Sequence, residues 1–427
     1  MRRAAFKVAR NVAWLGFGEV ALKGGLFGAG VVVARGLGPT GMGAFTVAYA
    51  AALVLMQVLA GGQVEVLIRE TARCPEHGRA LFVLARSHQW RLAALVIPVA
   101  AAGAALVSRP ELRWTLLAFI PYAFLRRWLI TAGAVFKGLD RMDVEVRGRA
   151  LELIVALPCL ALVSASRWPV WCAGLAFSAG GVAGVAWITT RMRRLPLSPS
   201  VAPLSRALLV EEGTPFLVNS MVGQLLMRSD SILLASLGIP AAGIGLYGVA
   251  SAPAQGLNAA SQVIAVASYP TLARGAAAGS LRPRHVLLLL AAGAVLGTSL
   301  GTLLFVLREP IVRIFFGAGF AASADLLAVL AWGLPGACTA MLAGAVLAST
   351  RRQRWALANG SAMLAISVSA NLMVIPRWGV TGCAAVTVGV LSTTALVHTI
   401  LAVLAVRKGV PAGAEEPPFL PVGEGQD

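Results

Sequence analysis

Four charged side chains sit inside apolar runs that offer them no water. Glu19 and Lys23 lie one helical turn apart, and Arg228 and Asp230 interrupt a second run further along. A charge at mid-bilayer costs about 2.5–3.5 kcal/mol on insertion scales, so such groups face a cavity or a partner. Two cations on separate helices suit an anionic group through charge-assisted hydrogen bonds. The packing alternative is a salt bridge, Glu19 to Lys23 or Arg228 to a neighbouring carboxylate. A second set is uncharged: Ser251, Gln255, Asn258 and Gln262 recur at steps of four, three and four, on one helix face. That stripe offers donors and acceptors without fixed charge, which fits sugar hydroxyls and equally fits bonding between helices. Gln57 and Gln224 extend such a polar lining. Arg126, beside Arg127, either reaches the same cleft or snorkels to headgroups. Asp230 and Glu19 are candidates for ion coupling or charge pairing, and His398 is a proton carrier or a packed histidine.

The elements that hold these residues are twelve long apolar segments, approximately 11–34, 43–66, 81–107, 114–136, 150–166, 169–190, 208–237, 243–268, 286–307, 325–348, 355–375 and 381–405. Each crosses ~30 Å of hydrocarbon as a helix, which satisfies its own backbone hydrogen bonds. The expectation is an all-α polytopic membrane protein. The first end and alternate connections carry 25 of the 36 Lys and Arg, and the opposite connections carry seven. By the positive-inside rule both termini are cytoplasmic, in a bacterial inner membrane. Glu65 is expected to pair with Arg69, and Glu152 with Arg149, at that boundary. Pro98, Pro121, Pro215, Pro253 and Pro335 are expected to kink their helices. Gly24 and Gly28 form a G-x-x-x-G surface suited to close helix approach.

The formal charge of +18 is accounted for by this topology, which argues against nucleic acid as a partner. Cys74, Cys159, Cys172, Cys338 and Cys383 lack C-x-x-C spacing and read as small hydrophobes plus one loop thiol, with no metal site. No phosphate-binding G-x-x-x-x-G-K-[ST] loop and no nucleophile–base constellation is present, so neither a cofactor nor a catalytic residue is assigned and the chain is not read as an enzyme. Transport by such a chain draws on an ion gradient (H+ or Na+), the membrane potential or the substrate's own gradient. The first apolar run reads as an uncleaved anchor.

The second half echoes the first. Leu37-Gly38 followed by Gly43-Ala44-Phe45-Thr46-Val47-Ala48… is matched by Leu237-Gly238 and Gly243-Ile244-Gly245-Leu246-Tyr247-Gly248-Val249-Ala250, with Gly41 and Gly43 opposite Gly243 and Gly245. Arg167-Trp168-Pro169-Val170 is matched by Arg377-Trp378-Gly379-Val380. Six spans per half set the halves parallel, as two lobes around a central cavity. The division is 1–195 for the first lobe, 196–206 for a cytoplasmic linker, 207–406 for the second lobe and 407–427 for a disordered cytoplasmic tail.

Ala34-Arg35-Gly36-Leu37-Gly38-Pro39-Thr40-Gly41-Met42-Gly43, its counterpart in the second half, Phe315-Phe316-Gly317-Ala318-Gly319-Phe320, and Asn371 followed by Ile375-Pro376-Arg377-Trp378-Gly379-Val380 carry a resemblance. Their order and spacing resemble the polysaccharide-type flippases of the multidrug/oligosaccharidyl-lipid/polysaccharide exporter superfamily. The resemblance implies alternating-access movement of undecaprenyl-pyrophosphate-linked oligosaccharide from the cytoplasmic to the outer leaflet. Such transport feeds cell-surface polysaccharide or lipopolysaccharide, with polymerase or ligase machinery as partners. Lys23 and Arg228 would then meet the pyrophosphate, the Ser251–Gln262 stripe the sugar, and membrane lipid the polyprenyl tail. Multidrug exporters of the same superfamily are the rival class, and a non-transporting scaffold the bland one. Lipid II flippases commonly have two further helices, which this chain lacks.

Overall fold

The computed structural model describes residues 2–196 and 205–409, without the side chains of residues 2–17, 19, 20, 259 and 260. The Glu19 side chain, the centre of the expected linker and nearly all of the expected tail therefore lie outside the described residues. Of the described residues 89% are helical, and none lies in a strand. In order it forms α1 (Arg2–Val58), α2 (Gln63–Arg73), α3 (Gly78–Ala105), α4 (Pro110–Gly138), α5 (Met142–Ala165), α6 (Trp171–Arg193), α7 (Arg206–Ser236), α8 (Ala241–Ala277), α9 (Pro283–Val306), α10 (Arg308–Ile311), α11 (Ser323–Ala331), α12 (Leu334–Ser349) and α13 (Gln353–Lys408).

Two of these helices each hold two spans. α1 turns at Gly38, with φ 66°, just before Pro39. α13 turns at Gly379, with φ 55°, three residues after Pro376. Both conformations are left-handed, which glycine adopts without a Cβ clash. α11 and α12 form one span broken by 43°, with Pro335 in the first turn of α12. Divided in this way, the chain makes twelve long helical runs among the described residues. Five helices, or six counting the broken pair, are long and apolar enough to cross a bilayer by composition. α3, α4, α7 and α8 fall outside that group. They carry Arg86, Arg91, Arg126, Arg127, Arg228, Asp230 and the polar stripe.

The expected second span, 43–66, is corrected. The helix ends at Val58, and the chain reverses through Gly61 (φ 55°) and Gly62 (φ 71°). It then forms α2, a short amphipathic helix whose Val66 and Leu67 are buried while Glu65 is exposed. Consecutive left-handed glycines end the apolar run, and the next helix turns Glu65 outward, with Arg69 half-buried one turn on.

The first half packs through α1 with α4 and α5, and through α6 with α4 and α5; the second packs through α12 with α8, α9 and α13. The most extensive pairing of all joins the halves, α1 against α8. The repeated glycines explain it. A methyl added at Gly43 would lie 1.8 Å from the Ala241 carbonyl oxygen, and one at Gly245 would lie 2.0 Å from that of Pro39. Each half thus seats its glycine on the other half's turn, and the backbones approach where no side chain fits. By contrast, Gly24 and Gly28 have nothing within 4 Å of an added Cβ, so the expected close approach there is absent.

At this Gly38 end two arginines of the first half also grip the second. Arg109 donates to the carbonyls of Gly238 at 2.7 Å and Ile239 at 2.8 Å. Arg35 donates to Phe315 O at 2.8 Å and to Ile314 O. At the opposite, Gly62 end, Arg69 pairs with Glu212 of α7, and a methyl at Gly62 would lie 1.8 Å from the Gly213 carbonyl oxygen. Arg69 also meets Glu70 at 2.7 Å, so the expected Glu65 partner is replaced by Glu70 and Glu212.

Candidate functional site

α7, α8 and α13 converge on Asp230, which is buried. Its carboxylate accepts from Tyr247 Oη at 2.6 Å, Thr387 Oγ1 at 2.7 Å and, more weakly, Asn371 Nδ2 at 3.4 Å. Asn371 Nδ2 also lies 3.4 Å from Ser367 Oγ. Three donors aimed at one carboxylate offset part of its desolvation. Beside it opens a cavity of about 110 Å³, lined among others by Asp230, Tyr247, Ser251, Gln255, Asn258 and Thr387. At about 10–15 Å³ per water by this kind of measure, it holds several waters and falls well short of an oligosaccharide.

Three members of the polar stripe therefore share that cavity. The fourth, Gln262, continues away from it, and its Oε1 accepts from Lys23 Nζ at 2.8 Å. This bond crosses from α1 to α8, so the intramembrane lysine and the amide stripe belong to one surface. Ser251 Oγ donates to Gly248 O at 3.1 Å, and Asn258 Oδ1 accepts from Ser261 at 2.7 Å. Gln255 is half-buried on the cavity wall.

Arg228 is half-buried, and its Nε is enclosed without a hydrogen-bond partner. The neighbouring carboxylate, Asp230, is engaged by Tyr247 and Thr387 instead. Gln57 and Gln224 are half-buried and outside the Asp230 cavity. His398 packs against α12, with Nδ1 3.4 Å from Ala340 O, also outside that cavity.

The first half holds its buried charge differently. Arg126 is 8% exposed and Glu152 is fully buried, and the two form an ion pair between α4 and α5. Arg127 is 5% exposed. Neither arginine snorkels, because both point into the helix bundle, and Glu152 takes Arg126 in place of the expected Arg149. Arg149 lies 3.9 Å from Glu145, which Lys137 approaches to 2.9 Å. Tyr122, one turn from Arg126, packs in an aromatic cluster with Phe45, Tyr49, Phe119 and Phe177. Glu152→Ala would strand a buried guanidinium, which typically costs 3–5 kcal/mol. The expected outcome is a large fall in the melting temperature of the detergent-solubilised protein. A melting temperature within 2 °C of wild type, a margin well below the roughly 4–8 °C per kcal/mol seen for small domains, would contradict that role.

Tyr247, Thr387, Asn371 and Ser367 are the site residues that residue-by-residue reading of the sequence missed. Tyr247 and Asn371 stood inside quoted motifs, but no local spacing couples them to Asp230. Thr387 and Ser367 gave no signal at all. Among the described residues no group of three His, Cys, Asp or Glu is placed to hold a metal ion.

An all-α bundle of long apolar helices, with buried charge and a lysine–glutamine bond crossing between its halves, is the architecture of a multi-pass membrane protein. Solved structures agree on the fold. The chain is similar to a multidrug resistance MATE family transporter of the MOP superfamily in its inward-facing conformation, with TM-score 0.74, 14% identity, and 92% of this chain and 96% of that one covered. It is similar to the eukaryotic MATE transporter AtDTX14, with TM-score 0.67, 15% identity and coverage of 94% and 97%. A MOP superfamily transporter from Pyrococcus furiosus, described as having a binding pocket of reverse polarity that suggests a different function, aligns with TM-score 0.66, 15% identity and coverage of 93% and 95%. No curated relative matches the chain. The profile of the family described as "Polysaccharide biosynthesis protein" matches residues 8–276. The chain belongs to that family.

Proposed function

We propose that this protein is a flippase that carries an oligosaccharide linked to undecaprenyl pyrophosphate from the cytoplasmic to the outer leaflet of the bacterial cytoplasmic membrane. The observation that carries the reading is the bond from Lys23 to Gln262, at the end of an uncharged polar stripe. Cation and stripe lie side by side, as the pyrophosphate and the first sugars do in the cargo. Lys23 Nζ exchanges Gln262 for a pyrophosphate oxygen, a stronger charge-assisted acceptor. Gln262 is thereby released toward sugar hydroxyls. Arg228, whose Nε has no partner, supplies the second cation, and the polyprenyl tail stays in lipid.

Cargo of this size needs more room than the Asp230 cavity offers, so it binds where α1 and α8 part. The basic connections face the cytoplasm, which puts both termini there and makes the Gly62 end the entry side. Asp230 is the coupling group, exchanging H+ or Na+ as its donors rearrange. Asp230→Asn keeps the shape but removes the charge. It is expected to leave the melting temperature within about 2 °C and to abolish the dependence of transport on the ion gradient. Unaltered gradient dependence would remove Asp230 from this role.

A second reading has support from the likeness to MATE transporters and from the single carboxylate, Asp230, on the cavity wall: export of cationic compounds driven by the same ion exchange. The two are separated in cells. A strain lacking the protein accumulates polyprenyl-pyrophosphate oligosaccharide, measured by mass spectrometry of extracted lipid, and plasmid rescue reverses it. Absence of accumulation in cells that make such glycolipids would favour the exporter.

A further inference from the structure

The halves neutralise their basic ends differently. In the first half carboxylates are interleaved with the cations, Lys137 with Glu145 at 2.9 Å, Arg73 with Glu70 at 3.2 Å and Arg147 with Asp143 at 3.8 Å. From α8 through Lys408, the carboxylates among the described residues are Glu309 and Asp325, both at the Gly38 end. At the other end Arg274, Arg282, Arg284, Arg354, Arg407 and Lys408 are all exposed. Leu272, Leu281, Val286, Val346 and Val406 pack in one cluster beneath them, so three connections converge on one basic face.

At its centre is Trp355. The Arg352 guanidinium lies 4.4 Å from the ring centroid and Lys408 Nζ lies 5.7 Å from it. Arg352 Nη2 donates to Gly409 O at 3.3 Å, while its Nε is enclosed and has no hydrogen-bond partner. Two cations on one indole repel each other, and an anion beside them offsets that repulsion. The indole also marks the depth of lipid headgroups, where Trp is enriched.

We infer that this face binds the headgroup of an acidic phospholipid, with the phosphodiester between Arg352 and Lys408 beside Trp355. The charge of the face is complementary to an anionic leaflet, and the apolar helix surfaces flanking it accept the acyl chains. The inference makes no use of the transport cargo.

The test titrates the purified full chain in neutral detergent with phosphatidylglycerol and, separately, with phosphatidylcholine, read by native mass spectrometry. A basic side chain near an anionic surface contributes about five-fold in binding. Arg352→Gln with Lys408→Gln is therefore expected to weaken phosphatidylglycerol binding about 25-fold and leave phosphatidylcholine unchanged. Arg352→Lys with Lys408→Arg retains most of the binding, and Arg73→Gln with Arg147→Gln, whose cations have carboxylate partners, changes nothing. Equal binding of the two lipids by wild type, or an unaffected Gln double variant with a wild-type melting temperature, overturns the assignment. So does a ten-fold gain on replacing Glu415, Glu416, Glu424 and Asp427 by neutral residues, which would assign the face to the chain's own acidic tail.

Discussion

Replacing Lys23 and Arg228 together by Ala is expected to cut transport of lipid-linked oligosaccharide by 10²-fold or more, at normal protein level. Hydrogen bonds to charged groups contribute about 1.5–3 kcal/mol each, so two lost contacts to a pyrophosphate multiply to that range. Neither residue is an anchor of the fold in the way Arg126 is. Lys23 is half-buried and bonded to a neutral amide, and Arg228 has no ion pair among the described residues. The melting temperature should therefore move little while transport collapses. The single variants should fall between, with Lys23→Arg retaining part of the activity because charge survives and geometry changes. Full transport by the double variant, measured in membranes at matched protein amounts, would remove the pyrophosphate assignment.

Gly245→Ala should be more damaging than any other single methyl added to this protein's α8. The added carbon would sit 2.0 Å from the Pro39 carbonyl oxygen, backbone that cannot rotate away. Overpacking a tight core costs typically 1–3 kcal/mol, and here the strain falls on the contact that closes the two halves at the Gly38 end. Gly43→Ala, 1.8 Å from Ala241 O, should behave alike. Gly28→Ala is the internal control, because nothing lies within 4 Å of its added carbon and alanine is the better helix former. Transport and melting temperature should fall for the first two variants and hold for the third. Equal behaviour of all three would mean that the Gly38 end is not closed by these glycines.

Much of this architecture was legible in the sequence because bilayer physics is local. A run must be apolar and about 20 residues long to span. The paired Leu-Gly turns were legible too, since Gly38 and Gly238 both adopt positive φ, at 66° and 82°. The stripe from Ser251 to Gln262 could be read from helical periodicity, which places side chains on one face. What periodicity does not reach is the partner on another helix. Glu152 has Arg149 three residues away, yet it binds Arg126, because burial selects the arginine that points into the same dry interior. Arg69 passes over Glu65 for Glu70 and Glu212, the latter 143 residues away. α2 was merged into a span because Val64, Val66, Leu67 and Ile68 look apolar until Gly61 and Gly62 are known to be left-handed. The cradle of Asp230 draws one residue each from α8 and the two arms of α13, a juxtaposition that only the folded chain displays.

The central claim is movement of a lipid-linked oligosaccharide, and reconstitution tests it most directly. The purified full chain would be placed in liposomes carrying undecaprenyl-pyrophosphate oligosaccharide in both leaflets, with a membrane-impermeant glycan-cleaving enzyme outside. Without movement, cleavage stops at the outer half of the glycolipid. The flippase account predicts that cleavage proceeds toward completion with the wild-type protein and stops near half with the Lys23→Ala, Arg228→Ala variant. Cleavage that stops near half with folded wild-type protein, under every imposed H+ and Na+ gradient, would contradict it.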